Sequence, residues 1–187
     1  MNVKARAESI RLLVLDVDGV LTDGGLYYMP DGSTAKRFNV QDGLGIKVAQ
    51  AAGLELAVIT GLDNECVARR VAELGIREYH PGHRVKGPVL NDICSRLGIS
   101  LEQVAYVGDD WVDAGPMQLV GLPMAVVNAQ PEILDMASWV SRARGGDGAV
   151  REAIRFLLQC QDKLDSQWGE WLEATEPRHD PVGQVGQ

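Results

Sequence analysis

Ile10-Arg-Leu-Leu-Val-Leu-Asp-Val-Asp-Gly-Val-Leu-Thr-Asp23 is the stretch whose reading decides the fold. It is apolar from Ile10 to Leu15 apart from Arg11, and it stops abruptly at Asp16-Val17-Asp18-Gly19. A short apolar run bounded in this way reads as a strand buried on both faces, the central strand of a parallel sheet. Ligands of such sheets bind beyond the carboxyl ends of the strands, so Asp16 and Asp18 are delivered to the rim where chemistry occurs. If the extended backbone continues, alternation sends both carboxylates the same way and Val17 the other. Two like charges so close call for a cation or a shared proton.

Three readings of this Asp-x-Asp-Gly step compete. One is a polar turn after a core strand. A calcium loop fails, because Val20 stands where an oxygen ligand is needed and a strand precedes the loop. The third is a nucleophilic carboxylate with a partner acid two residues on, and it requires phosphate-handling groups at later strand ends.

Outward from this stretch, strand and helix alternate. Strands at 26–29 and 34–38 flank Pro30-Asp31-Gly32-Ser33 and read as a hairpin. Helices follow at 42–53, 64–74, 85–97, 113–120, 131–137 and 149–164, several stopped by glycine. Pro88 fits only the first turn of its helix, which places Lys86 at or before the helix start. Buried strands are expected at 56–60, 78–80, 103–107, 124–127 and 139–140. This order predicts an α/β fold with a central parallel sheet. From about Thr175 the chain turns to Pro, Gly, Gln and charge, the composition of a disordered tail, so residues 175–187 are set apart from a single domain over 1–174.

The 187 residues carry a net charge of -8. That balance argues against binding nucleic acid or an anionic membrane surface, and it leaves an anionic substrate dependent on a local positive site. No apolar run is long enough for a membrane span, and the first residues lack an apolar signal core. Cys66, Cys94 and Cys160 are scattered, as expected of reduced thiols in a cytoplasmic protein. His80 and His83 read as loop histidines. Trp168 and Trp171 read as packing residues against a neighbouring helix or subunit.

Four features fall at strand ends: Asp16 with Asp18, Thr60-Gly61, Lys86, and Asp109-Asp110. Each is bland alone. Together they suit phosphoryl transfer, in which about 20 kcal/mol or more must come mostly from positioning and charge stabilisation. Asp16 would attack phosphorus and give an aspartyl-phosphate. Asp18 would protonate the leaving alkoxide and then take a proton from the attacking water. Thr60 and Gly61 would hold phosphate oxygens, with the N–H groups of Val17 and Asp18 completing the cradle. Lys86 would neutralise charge. Hard oxygen ligands point to Mg2+, held by Asp16, Asp18 and Asp109.

These motifs resemble those of the haloacid dehalogenase-like phosphatases. The longer strings Val17-Asp-Gly-Val-Leu-Thr-Asp-Gly24, Phe38-Asn-Val-Gln-Asp-Gly43, Tyr106-Val-Gly-Asp-Asp110 and Gly145-Gly-Asp-Gly-Ala-Val-Arg-Glu152 are similar to the 3-deoxy-D-manno-octulosonate 8-phosphate phosphatases. The resemblance implies a Rossmann-like three-layer sandwich with a small hairpin and no large cap domain. It implies hydrolysis of a phosphorylated sugar acid in lipopolysaccharide biosynthesis. It also implies a homotetramer built through the hairpin at 25–38, with the 145–148 loop near a site mouth. Three positions depart from that family: Leu62, Gln41 and Asp147 stand where arginine is common. Arg37, Arg84 and Arg69 are the candidates to compensate. Two further readings remain at this point. One is a phosphatase for a nine-carbon sugar acid or other sugar phosphate. The other is a phosphoaccepting regulatory module resembling a receiver domain, against which Asp18 argues because turnover needs a general acid–base.

Overall fold

The computed structural model describes residues 2–175, with the helix α1 (Val3–Glu8) ahead of the central strand β1 (Leu12–Leu15). Every residue of β1 is buried. Its strand order explains why: β1 lies inside a six-stranded sheet, with β4 (Glu55–Ile59) on one side and β6 (Val104–Gly108) on the other. Beyond β4 comes β5 (Glu78–His80); beyond β6 come β7 (Leu122–Ala125) and β8 (Trp139–Val140). All five pairings are parallel, so every carboxyl end opens on one rim. Leu12 to Leu15 pair in register with Glu55 to Val58 and with Val104 to Val107. Asp16, one residue past the last paired position, still donates its N–H to the Val107 carbonyl at 3.1 Å as the chain leaves the sheet.

The chain reaches β4 from β1 through a short hairpin and then α2 (Val40–Ala51); β4 leads into α3 (Glu65–Leu74) and β5 into α4 (Gly87–Leu97). After β6, α5 (Ala114–Leu119) and α6 (Pro131–Met136) connect to β8, and α7 (Ala149–Cys160) and α8 (Leu164–Thr175) end the described chain. Helices α1, α2, α3 and α7 form one outer layer, and α4, α5 and α6 the other. The result is the expected three-layer sandwich. The hairpin, β2 (Tyr27–Tyr28) with β3 (Thr34–Ala35), is shorter than its sequence signal, and among the described residues no domain-sized insertion interrupts the sandwich. Among the described residues no helix is long and apolar enough to cross a membrane.

Three differences from the sequence reading have physical causes. Helix α1 was not expected, since only Ala7 of its six residues is buried and no apolar period marks it. The terminal helix expected at 149–164 ends at Cys160, and a further helix begins at Leu164. Asp162 takes φ 54° between them, a left-handed turn that neither glycine nor proline announces. Helix α2 begins at Val40, not at 42, because Asn39 caps it by accepting a hydrogen bond from the Gln41 N–H at 2.7 Å. The disorder expected of the tail concerns 176–187, which lie outside the described residues; Thr175 itself closes α8.

The Phe38–Gly43 string has a structural role. Asp42, in the first turn of α2, is buried and accepts hydrogen bonds from the N–H of Arg151 at 2.7 Å and of Gly148 at 3.3 Å. It thereby caps the first turn of the neighbouring helix α7. Burial pushes the Asp42 carboxyl above its ordinary range, and these N–H groups pull it back. The 145–148 loop is seated against the loop that follows Asp18. Gly146 donates to the Val20 carbonyl at 3.0 Å, and a Cβ on Gly145 or Gly146 would overlap the 19–23 backbone.

Candidate active site

The backbone leaves β1 at Asp16 in an extended conformation and then closes one wide turn, in which Thr22 donates to the Val17 carbonyl at 3.0 Å. The turn needs Gly19, which has φ 88°; a Cβ there would overlap the Asp109 carboxylate. The close approach of Gly19 thus brings the ends of β1 and β6 together. A cavity of about 320 Å³ opens over this rim, lined by Asp16, Asp18, Thr60, Gly61, Leu62, Arg84, Lys86, Asp109, Asp110 and Val112. Its size falls within the range of roughly 300–1,000 Å³ usual for small-molecule sites.

Lys86 is the hinge of the polar network. Proline in the first turn of α4 sets Lys86 immediately before the helix, and the side chain runs inward, fully buried. Its ammonium donates to Asp16 Oδ1 at 2.6 Å and to Asp113 Oδ1 at 2.7 Å. Asp113 is fully buried and accepts as well from the Tyr106 hydroxyl at 2.7 Å and from the Asp109 N–H at 3.0 Å. A buried lysine is tolerable only when paired in this way. The two carboxylates raise the Lys86 pKa against the opposing effect of burial, which is the largest single influence on it.

The acidic groups crowd one another. Burial first, and the charge of Asp113 second, raise Asp16 from 3.8 to about 7, while Lys86 and the Val17 N–H act to lower it. Asp109 is raised to about 8, by burial and then by Asp16, Asp113 and Asp110. Oxygen atoms of Asp16, Asp109 and Asp113 lie within 4.8 Å of one another. Within that group Asp109 Oδ1 is buried with no hydrogen-bond partner among the described residues, so one lone-pair donor points at nothing. Hard oxygen donors, mutual repulsion and an orphaned buried oxygen fit a divalent cation between Asp16 and Asp109.

Asp18 lines the same cavity as Asp16, but its carboxylate stands outside the close acidic group. Lys36, at the end of the hairpin, donates to both of its oxygens, at 2.6 and 2.8 Å, through a side chain with no solvent exposure. Every residue assigned from sequence to the phosphate and metal steps except Val17 lines the cavity; Val17 is buried beneath it, and its N–H binds Asp16. Lys36, Tyr106 and the central position of Asp113 were not singled out. Asp113 belonged to the Gly-Asp-Asp string, a usable signal, whereas nothing local marks Lys36. A second cavity of about 390 Å³, between α2, α7 and α8, is lined by Trp168, Trp171, Arg151, Arg155 and a single carboxylate, Asp165.

Fold and site together define a hydrolase of the haloacid dehalogenase-like class, and a family model described in those words matches residues 74–154. The 3-deoxy-D-manno-octulosonate 8-phosphate phosphatase KdsC of Escherichia coli (strain K12) is 46% identical over 169 residues, 90% of this chain and 90% of that protein. The crystal structure of the Yersinia pestis phosphatase of the same name superposes with a TM-score of 0.86 at 42% identity, covering 87% of this chain and 88% of that one. The Moraxella catarrhalis phosphatase, described as a complex with magnesium, phosphate and KDO, gives a TM-score of 0.88 at 35% identity, covering 90% and 97%. The chain belongs to the 3-deoxy-D-manno-octulosonate 8-phosphate phosphatase family.

Proposed function

We propose that this chain is a magnesium-dependent phosphomonoester hydrolase that acts on 3-deoxy-D-manno-octulosonate 8-phosphate, with Asp16 as nucleophile. One observation carries the reading: Asp16, Asp18, Thr60, Gly61, Lys86 and Asp109 converge on one cavity at the carboxyl rim of the sheet. The Moraxella relative, described with magnesium, phosphate and the dephosphorylated sugar acid, supports the choice of cation and substrate.

Lys86 occupies Asp16 Oδ1 and leaves Oδ2 to attack phosphorus in line. The bond from phosphorus to the sugar oxygen breaks, and the departing alkoxide takes its proton from Asp18, which enters this step protonated, with one of its oxygens released by Lys36. Water then gives a proton to Asp18 and attacks phosphorus. The acyl-phosphate bond breaks, and Asp16 returns as a carboxylate. Thr60 and the N–H groups of Gly61 and Asp18 hold the non-bridging oxygens; the Val17 N–H, expected to join them, is engaged by Asp16 instead. Lys86 offsets charge on Asp16 throughout. Magnesium, held by Asp16 and Asp109, supplies the positive charge that lets a carboxylate approach a phosphate dianion. Asp18 joins that ligand set only if Lys36 releases it.

The working form is a cytoplasmic homotetramer assembled through the hairpin. Leu26, Tyr27, Tyr28 and Met29 are all exposed there, a contiguous apolar patch of the kind that marks an interface. The net charge of -8 supports a protein that binds neither nucleic acid nor an anionic membrane.

Initial rates on a panel of sugar phosphates with magnesium test the reading. The eight-carbon sugar acid phosphate should give the highest kcat/KM, and chelation should abolish turnover. A higher kcat/KM for the nine-carbon acid would favour the second reading, which Leu62, Gln41 and Asp147 motivate. Equal rates on neutral sugar phosphates would contradict both.

A further inference from the structure

The cavity presents four carboxylates, Asp16, Asp18, Asp109 and Asp110, to a substrate that is itself anionic. Its buried cation, Lys86, is fully engaged by Asp16 and Asp113. The other cation on its wall is Arg84, in the loop between β5 and α4. Among the described residues Arg84 takes part in no ion pair. Its stem lies against the phosphate-side turn: the Arg84 Cγ is 3.7 Å from the position a Cβ on Gly61 would occupy. Arg84 is exposed, and its stem lies beside Gly61 on the cavity wall that Leu62 shares.

The rival arginines are held elsewhere. Arg37 donates to Asp23 at 2.9 Å and to Asp147 at 2.6 Å. Arg69 pairs with Glu73 one turn along α3 and is mostly exposed. Arg151 and Arg155 line the other cavity, behind α2. Thr60, Gly61 and Lys86 are taken up by the phosphate in this reading, so among the described residues a second anionic group on the substrate has one unengaged cation on the cavity wall, Arg84.

We infer that Arg84 is the residue that recognises the carboxylate of the substrate, reaching across the wall that Leu62 leaves uncharged. This rests on the reading that the substrate is a sugar acid phosphate. A planar guanidinium meets a carboxylate with two parallel hydrogen bonds, a geometry that leucine cannot offer and lysine offers only as a point charge. Leu62 and Val112, each 44% exposed, supply the apolar wall for the sugar carbons between the two anionic ends.

The test compares kcat/KM for the sugar acid phosphate with kcat/KM for p-nitrophenyl phosphate, which has no carboxylate, in wild type, Arg84→Met, Arg84→Lys and the Leu62→Arg/Arg84→Met double variant. The ratio of the two values should fall about 10- to 100-fold in Arg84→Met, chiefly through KM. It should recover partly in Arg84→Lys and more fully when arginine enters the same wall at position 62. A ratio unchanged in Arg84→Met overturns the inference, whether because neither substrate is affected or because both lose equally and Arg84 serves the phosphate. If the wild type shows no preference for the sugar acid phosphate over p-nitrophenyl phosphate, the substrate reading falls, and this inference with it. If the preference exists and survives Arg84→Met, only the role of Arg84 falls.

Discussion

Asp113 is the residue on which the others depend, although it is not the nucleophile. It anchors Lys86, accepts from Tyr106 and ties down the Asp109 N–H, all without solvent. Removing one member of a buried ion pair leaves the other charge unpaired, so Asp113→Ala should lose about 3–5 kcal/mol of unfolding free energy in urea titrations. A loss under 1 kcal/mol would show that water enters the site freely. Lys36 acts through Asp18, which it grips with two hydrogen bonds. Replacing it with methionine should lower kcat by about 10- to 100-fold through misplacement of the acid, with little change in thermal midpoint; unchanged kcat would remove Lys36 from the mechanism. Asp16 and Asp18, the proposed nucleophile and acid, stood out as a pair because an apolar run ends in two carboxylates. Lys36 did not, because it meets Asp18 across a hairpin whose folded path no local pattern specifies. Asp113 stood in a readable string, but its partner Lys86 lies 27 residues away in sequence and is joined to it only by the fold.

At the scale of elements, the link between α2 and α7 matters most. Asp42 closes the start of α7 and fixes the 145–148 loop, which in turn packs on the turn after Asp18. Asp42→Ala should cost about 1–3 kcal/mol of stability and slow turnover only as far as the loop loosens. Increased amide exchange confined to 145–151 would report that loosening, and exchange spread evenly over the sheet would contradict it. The parallel sheet was legible because strands buried on both faces are written as uninterrupted apolar runs, as in Leu12–Leu15 and Val104–Gly108. Helix α1 and the break at Asp162 were not. The first buries a single alanine, and the second turns on a left-handed aspartate that sequence gives no reason to expect.

For the whole molecule, the consequences are pH dependence, assembly and covalent chemistry. Asp16 and Asp109 titrate at about 7 and about 8 in the folded chain, against 3.8 ordinarily. A raised carboxyl favours the folded state when protonated, so this contribution is fully present below about pH 3.8 and is lost as pH rises through 7 to 8. Protons compete with a cation for the same oxygens. Magnesium should therefore raise the melting temperature more at pH 8 than at pH 6, and an equal rise at both would contradict the assignment of Asp16 and Asp109 as its ligands. If the exposed hairpin builds the tetramer, Tyr28→Lys should yield smaller species in sedimentation velocity, and an unchanged sedimentation coefficient would dissociate hairpin from assembly. The central claim is that the phosphoryl group passes through Asp16. Acid quench of Asp18→Asn during reaction with p-nitrophenyl phosphate, whose leaving group needs no proton, followed by peptide mass spectrometry, tests it most directly. The account predicts one phosphoryl group on the peptide that carries Asp16, absent when Asp16→Asn is added. Release of nitrophenolate with no phosphorylated peptide at any quench time would contradict it.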